Sequence, residues 1–365
     1  MIRLAEIALK GPVAAATVST GLLLIGLVLP LLAGPAGVFL TLPLIWASGA
    51  VVAFVLLRRG PGHAIYGVAA ALALMLILSV FNPGSLFQLF AVVVQFWLPS
   101  LLVAYVLRQS VSLSVAVLAG GAIGLFTLLF QHLVFGDPAV FWERVLTEQI
   151  DASVAAAAAD QPADPKVQAQ IEAFRSSIGV MAKLAAPMSA MMMLITGVTA
   201  VFLARAWQAR LFNPGGFQVE FHSLWLGKKI AIGVLVITAL SMVWPASLLT
   251  NVVIVIMAVM MFQGIAVVHA LVKIRGMSSG WIVGLYLLLM MPHTSALVGA
   301  MGIADNWLNF RRLTPGSANT DAPGAGDKDA NAGSDESDTS GVGDDDHAAS
   351  AGDGQHESGD NRRDD

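Results

Sequence analysis

Residues 13–59 read VAAATVSTGLLLIGLVLPLLA, GPAG, VFLTLPLIWASGAVVAFVLL, RR. Neither apolar run, 13–33 or 38–57, carries a charge, and each matches the ~20 residues a helix needs to cross a bilayer. Gly34-Pro35 interrupts the pattern between them, and Arg58-Arg59 stops the second run. Similar runs follow at 64–81, 86–107, 111–135, 180–203, 230–244, 248–272 and 281–303. Backbone polar groups in lipid must be satisfied within the segment, so such runs read as helices. The expectation is an all-α, polytopic transmembrane bundle of about eight or nine spans over residues 1–312, with a disordered acidic tail over 313–365.

Composition points the same way. Of 365 residues, 56% are hydrophobic and 12% charged, about half the roughly 25% of a soluble domain. With no cysteine, disulfides, thiolate metal sites and cysteine nucleophiles are excluded. The net charge of −4 sums two unlike parts: residues 313–365 hold fourteen acids against three bases, leaving the rest basic. The tail's Gly, Ala, Ser and Asp bury too little apolar surface to offset the entropy of ordering.

Lys and Arg in short loops set the orientation, positive loops staying cytoplasmic. Arg58-Arg59, Arg108, the 205–229 stretch and Lys273 with Arg275 fall on one side by span parity, and Arg3 and Lys10 put the N-terminus there too. This predicts a multi-pass protein of the bacterial inner membrane with a cytoplasmic N-terminus. A signal-peptide reading of 1–36 is set aside, because a second apolar run follows almost at once. The loop 137–178, with seven acids against three bases, falls outside. Its composition predicts a helix over 141–159, a break at Pro162 to Pro165, and a short helix over 166–176. The last apolar stretch is too short for two crossings, yet one crossing would carry Arg311-Arg312 outside. Pro292 interrupts it, so a broken element is expected, with one helix to Met291 and a second to about Arg312.

Two stretches carry the candidate site. The cytoplasmic segment 211–229 reads LFNPGGFQVEFHSLWLGKK. Asn213, Gly215 and Gly216 form a turn, after which Phe217, Phe221, Leu224 and Trp225 fall on one face of a helix, with Glu220 near its edge and His222 beside it. Such a helix suits the headgroup plane or a docking partner. Residues 299–312 read GAMGIADNWLNFRR, where Asp305, Asn309 and Arg312 make a polar stripe. A carboxylate near hydrocarbon costs ~2.5–3.5 kcal/mol at mid-span. Asp305 therefore caps a helix at the headgroups beside Arg311 or Arg312, or faces a cavity and contacts a ligand, ion or proton. His293 follows Pro292, where a broken helix frees carbonyls to line a cavity. The expected ligand or partner contacts are Asn213, Gly215, Gly216, Glu220, His222, His293, Asp305, Arg311 and Arg312.

The stripe Ser112, Ala116, Gly120 and Gly124 predicts close packing against a neighbouring helix. Gln95, Gln131, His132, Asn251, Gln263 and His269 read as packing groups within apolar runs. The FNPG at 81–84 recurs at 212–215, a weak hint of an inverted repeat. No P-loop, G-x-S-x-G, H-E-x-x-H or paired intramembrane carboxylates occur, so no enzyme, cofactor or metal is expected.

The stretches LFNPGGF…EFH and G..D.W.NFRR together resemble the YybS-like family of multispanning bacterial membrane proteins, over residues 1–312. That resemblance implies a distant similarity to substrate-binding subunits of energy-coupling-factor transporters, and supplies no catalytic residue and no substrate. It implies a small-solute binding or transporter component without its own ATPase. Its partners would be the bilayer and other membrane subunits or an ABC-type ATPase module, with no nucleic acid. The alternative is an envelope scaffold or assembly factor that recruits cytoplasmic partners.

Overall fold

The computed structural model describes residues 2–80, 85–158 and 165–312. All of these lie in the first of two units, Met1–Ser317 and Ala318–Asp365. The acidic tail, the 81–84 repeat motif and the break at Pro162 fall outside the described residues. The described residues form α-helices and no strand: α1 Ile2–Ala8, α2 Pro12–Arg59, α3 Pro61–Ser79, α4 Ser85–Ser110, α5 Leu113–Phe135, α6 Pro138–Ala158, α7 Pro165–Phe212, α8 Gly216–His222, α9 Lys228–Val243, α10 Ser247–Ile274, α11 Gly280–Leu289 and α12 Pro292–Leu308.

Helix α2 has 48 residues, about 72 Å if straight against a hydrocarbon core of ~30 Å. It is folded instead. Gly34 takes φ 55° and ψ −141°, a left-sided conformation open to glycine, and the chain turns back on itself. The Ser48 hydroxyl donates to the Ser19 carbonyl at 2.7 Å. Gly26 lies against Leu44 and Ile45, and a Cβ on Gly37 would fall 2.3 Å from the Leu29 carbonyl oxygen. These pairs converge on Gly34, so residues 12–33 and 35–59 form an antiparallel hairpin with almost no loop.

Helix α7, also 48 residues, continues through Pro187 and packs against α2, α4, α5, α6 and α10. It is the central element. Small residues on α5 let it approach closely: a Cβ on Gly120 would meet Val198 at 2.5 Å, and one on Gly124 the Ala190 carbonyl at 2.9 Å. The expected stripe is thus used within the chain. Helix α6 and the start of α7 make the helical pair expected for the 137–178 loop, joined by an Arg175–Asp151 ion pair at 2.5 Å.

Four helices (α2, α5, α7 and α10) are long and apolar enough to cross a membrane, or five with the bent pair α11–α12. That is fewer than the nine apolar runs of the sequence. The difference is geometric in part: α2 holds two runs, and α9 has 16 residues. Between α11 and α12 the axis turns by 115°, the broken element expected at Pro292. Helix α12 then runs parallel to α10 in close contact: Cβ atoms on Gly299 and Gly302 would meet the Met257 and Met260 carbonyls at 3.0 and 2.2 Å.

The basic turns gather at one end of the bundle. Arg108 donates to the Leu56 and Leu57 carbonyls at 3.1 and 2.8 Å, satisfying orphan acceptors at the end of α2. Arg59 donates to the Leu9 carbonyl, and the Arg58 guanidinium lies 3.9 Å above the Phe212 ring.

Candidate functional site

At this basic end the sequence's two distinctive stretches meet. Helix α12 stops at Leu308 because Asn309 adopts the left-handed conformation (φ 46°), its N–H bonded to the Asp305 carbonyl at 3.0 Å. The reversal aims Phe310 N–H at Asp305 Oδ1 (3.2 Å) and the Arg311 guanidinium at Oδ2 (3.2 Å). Gln263 on α10, fully buried, donates to the same Oδ2 at 3.1 Å and accepts from the Leu226 N–H at 3.0 Å. Arg311 donates in turn to the His222 and Leu224 carbonyls at 2.8 and 2.7 Å. Asp305 is 4% exposed. A buried carboxylate persists only when paired and hydrogen-bonded, and three donors meet that need. Burial lowers the Arg311 pKa, and the Asp305 charge opposes the shift.

These bonds correct the sequence reading of residues 217–225 as one amphipathic helix. Helix α8 ends at His222. Beyond it, Arg311, Gln263 and the Ser114 hydroxyl, 3.3 Å from the Trp225 N–H, take the backbone groups a further turn would have used. Leu224 is buried while Trp225 is half exposed, so the expected four-residue face does not exist. Nor do its aromatics face outward: Phe217 and Phe221 pack on Phe202, with ring centroids 6.0 and 5.3 Å away. The polar stripe needs the same correction. The turn at Asn309 breaks it, Arg311 rather than Arg312 pairs with Asp305, and Arg312 is exposed.

The turn before α8 follows from its residues. The Asn213 N–H bonds to the Ala209 carbonyl at 2.8 Å, and Gly215 holds φ 87°. A Cβ on Gly216 would come 2.4 Å from the Asn213 side-chain nitrogen. Glu220 receives both Arg205 Nε, at 2.8 Å, and Nη2, which orients α8 against α7.

Between α8 and the walls of α2, α7, α10 and α11 lies a cavity of about 930 Å³. Its surface is dominated by Phe202, Phe217, Phe221 and Phe262, with Ile195, Met261 and Leu289. Polar groups are few: His222, His269, Tyr286, Thr199, Gln218 and Arg210. His269 Nε2 lies 3.2 Å from the Tyr286 hydroxyl, and the His222 and His269 rings are 6.4 Å apart. Burial, then the nearby Arg311 and Lys273 charges, lower the His222 pKa. The Trp46 indole nitrogen, also on this wall, is buried with no hydrogen-bond partner. Among the described residues no three His, Asp or Glu side chains are grouped to hold a metal ion.

A bundle with four helices long and apolar enough to cross a membrane, or five with the bent pair, is a membrane architecture, and the comparison with known families agrees. The family described as "Predicted membrane protein (DUF2232)" matches residues 17–306. The chain belongs to this family. No curated protein and no solved structure matches the chain. The DUF2232 match spans both arms of α2 and reaches Asp305, so the cavity walls lie within it. The description assigns a membrane and no activity.

In this DUF2232 chain, Asn213, Gly215, Gly216, Glu220, His222, Asp305 and Arg311 come together, and His293 does not. His293 is exposed at the start of α12, twelve residues and so about 18 Å of helix rise from Asp305. Sequence reasoning missed Gln263 as the hub of the polar cluster, and missed Trp46, Phe202 and Tyr286 as cavity walls. Gln263 did carry a signal, an amide inside an apolar run. Cavity aromatics carry none, because a residue lining a void and one filling a core obey the same apolar pattern.

Proposed function

We propose that the chain is a membrane-embedded binding protein for a small solute, a non-enzymatic component of a transport system without its own ATPase. One observation carries this reading: the cavity of about 930 Å³, within the ~300–1,000 Å³ of small-molecule pockets and built as they are, mostly apolar with a few convergent polar groups. Filling it tests the reading. Ala206 lines the cavity on α7, and Ala206→Trp is expected to fold and to lose small molecules that co-purify with the native chain and are read by native mass spectrometry. Identical adducts on both proteins would refute it.

The finer topology belongs to the same proposal. The two arms of α2, with α3, α4, α5, α7, α9 and α10, supply eight crossings, the pair α11–α12 enters and leaves at the basic end, and that end faces the cytoplasm. The chain has no cysteine, so single cysteines at Ala155 and Lys229 report sidedness. Labelling of Lys229→Cys in intact cells, or of Ala155→Cys only after lysis, would invert the orientation.

The YybS-like resemblance extends the proposal to partners: further membrane subunits and an ABC-type ATPase. Their co-purification is the expected result. Recovery of envelope-synthesis or division proteins instead would favour the scaffold alternative.

A further inference from the structure

The cavity has a direction. On α7 it runs from Ile195 to Arg210, fifteen residues or about 22 Å of helix, most of the ~30 Å depth of a hydrocarbon core. It is a slot along the bundle axis rather than a sphere. One end is basic: Arg210 stands exposed on its rim with no protein partner among the described residues, while the nearby Arg311 is already paired with Asp305. Among the described residues no Asp or Glu lines the slot. The neighbouring acid, Glu220, is neutralised by both Arg205 contacts. Arg205 and Glu220 cancel, so Arg210 leaves the slot mouth positive. The other end is apolar but for the Trp46 nitrogen and the Thr199 hydroxyl. Gly49, one turn along α2 from Trp46, abuts Ala200 on α7, which places Trp46 at the deep end beside Ile195 and Thr199.

We infer that the slot takes a single-chain anionic amphiphile, its carboxylate or phosphate head at Arg210 and its apolar chain lying along the phenylalanines towards Trp46. This deepens the binding reading and rests on it. A cationic head would meet like charge at the mouth. A neutral apolar solute would use the phenylalanines but leave the exposed Arg210 charge, which has no protein partner among the described residues, unused.

The probe is 12-(9-anthroyloxy)stearate, with its methyl ester and a quaternary-ammonium analogue of equal chain length, titrated into the full chain in neutral nanodiscs. Energy transfer from tryptophan reports occupancy. The expected result is saturable binding of the carboxylate at least tenfold tighter than the ester, with the cation weakest. Arg210→Gln should reduce the carboxylate preference to within about threefold while leaving ester binding unchanged, and Ala206→Trp should abolish binding of all three. Octadecyl phosphate competing as well as stearate, with free inorganic phosphate inert up to millimolar, would show that head and chain are both needed. Equal binding of the three probes, lost in Ala206→Trp, would overturn the anionic assignment and keep the binding site. So would a carboxylate preference untouched by Arg210→Gln, or displacement by inorganic phosphate alone. Binding unaffected by Ala206→Trp, or no saturable binding of any probe, would remove the slot as a binding site and the inference with it.

Discussion

Two ion pairs hold this molecule's two ends, and they differ in nearly everything but chemistry. At the basic end, Asp305 and Arg311 have side chains 3% and 16% exposed. Both sit in a web that ties α12 to α10 and to the 222–226 segment. At the other, Asp151 and Arg175 are 52% and 37% exposed and bridge α6 to α7 alone. In water a pair is screened, and its attraction is largely cancelled by hydration and side-chain entropy. Out of water each charge depends on its partner, and loss of one strands the other. The contrast teaches that the buried pair positions a backbone segment, whereas the exposed pair ornaments a helical hairpin.

The buried pair should give the largest effect. Asp305→Asn leaves Arg311 without its counter-charge and should cost ~3–5 kcal/mol, read as a lower unfolding temperature in detergent. The double variant Asp305→Leu, Arg311→Met should not recover, because the His222 and Leu224 carbonyls lose their donor. Wild-type stability in Asp305→Asn would break the comparison. Gln263→Leu comes next. It strips a donor from Asp305 and orphans the Leu226 N–H, for ~1–3 kcal/mol.

A smaller effect depends on pH. His222 has its pKa lowered by burial first and by the Arg311 and Lys273 charges after it, so the unfolded chain, with a histidine near ~6.5, takes up its proton first. His222's stabilising contribution is therefore whole above that value and is lost as pH falls below it, towards the folded pKa. Unfolding temperatures from pH 8 to 5 should fall more steeply for the native chain than for His222→Gln. Parallel profiles would show that His222 does not titrate differentially. Smallest of all, Asp151→Asn should change stability by no more than ~1 kcal/mol; a loss as large as that of Asp305→Asn would erase the distinction between the ends.

The sequence foretold helices better than it foretold how they meet. Gly34-Pro35 between two apolar runs marks the α2 hairpin, because one residue must adopt what only glycine tolerates. Pro292 likewise marks the break before α12, and Asp305 stood out as a lone acid in an apolar stretch. The end of α8 was illegible for a different reason. Residues 217–225 have helical periodicity, but their backbone bonds go to Arg311, Gln263 and Ser114, far away in the chain. Local pattern cannot register competition from such distant donors and acceptors. His293, exposed at the start of α12, lies a helix-length from Asp305 and outside the polar cluster.

The link from Arg311 to His222 joins residues 89 positions apart, and Arg311 lies beyond every helix described. A ribosome therefore delivers the latch last, after the apolar helices have left the exit tunnel. Until then the 222–226 segment lacks its guanidinium tether, and α8, the mouth-side wall of the slot, is held by the Arg205–Glu220 pair and by Phe217 and Phe221 on Phe202. Closing so long a loop costs little more than closing a short one, since the entropy grows only with the logarithm of length. On this order of synthesis, completion of the pocket is expected to follow membrane integration. A chain released after Leu308 should integrate normally, yet expose the 222–226 segment to protease.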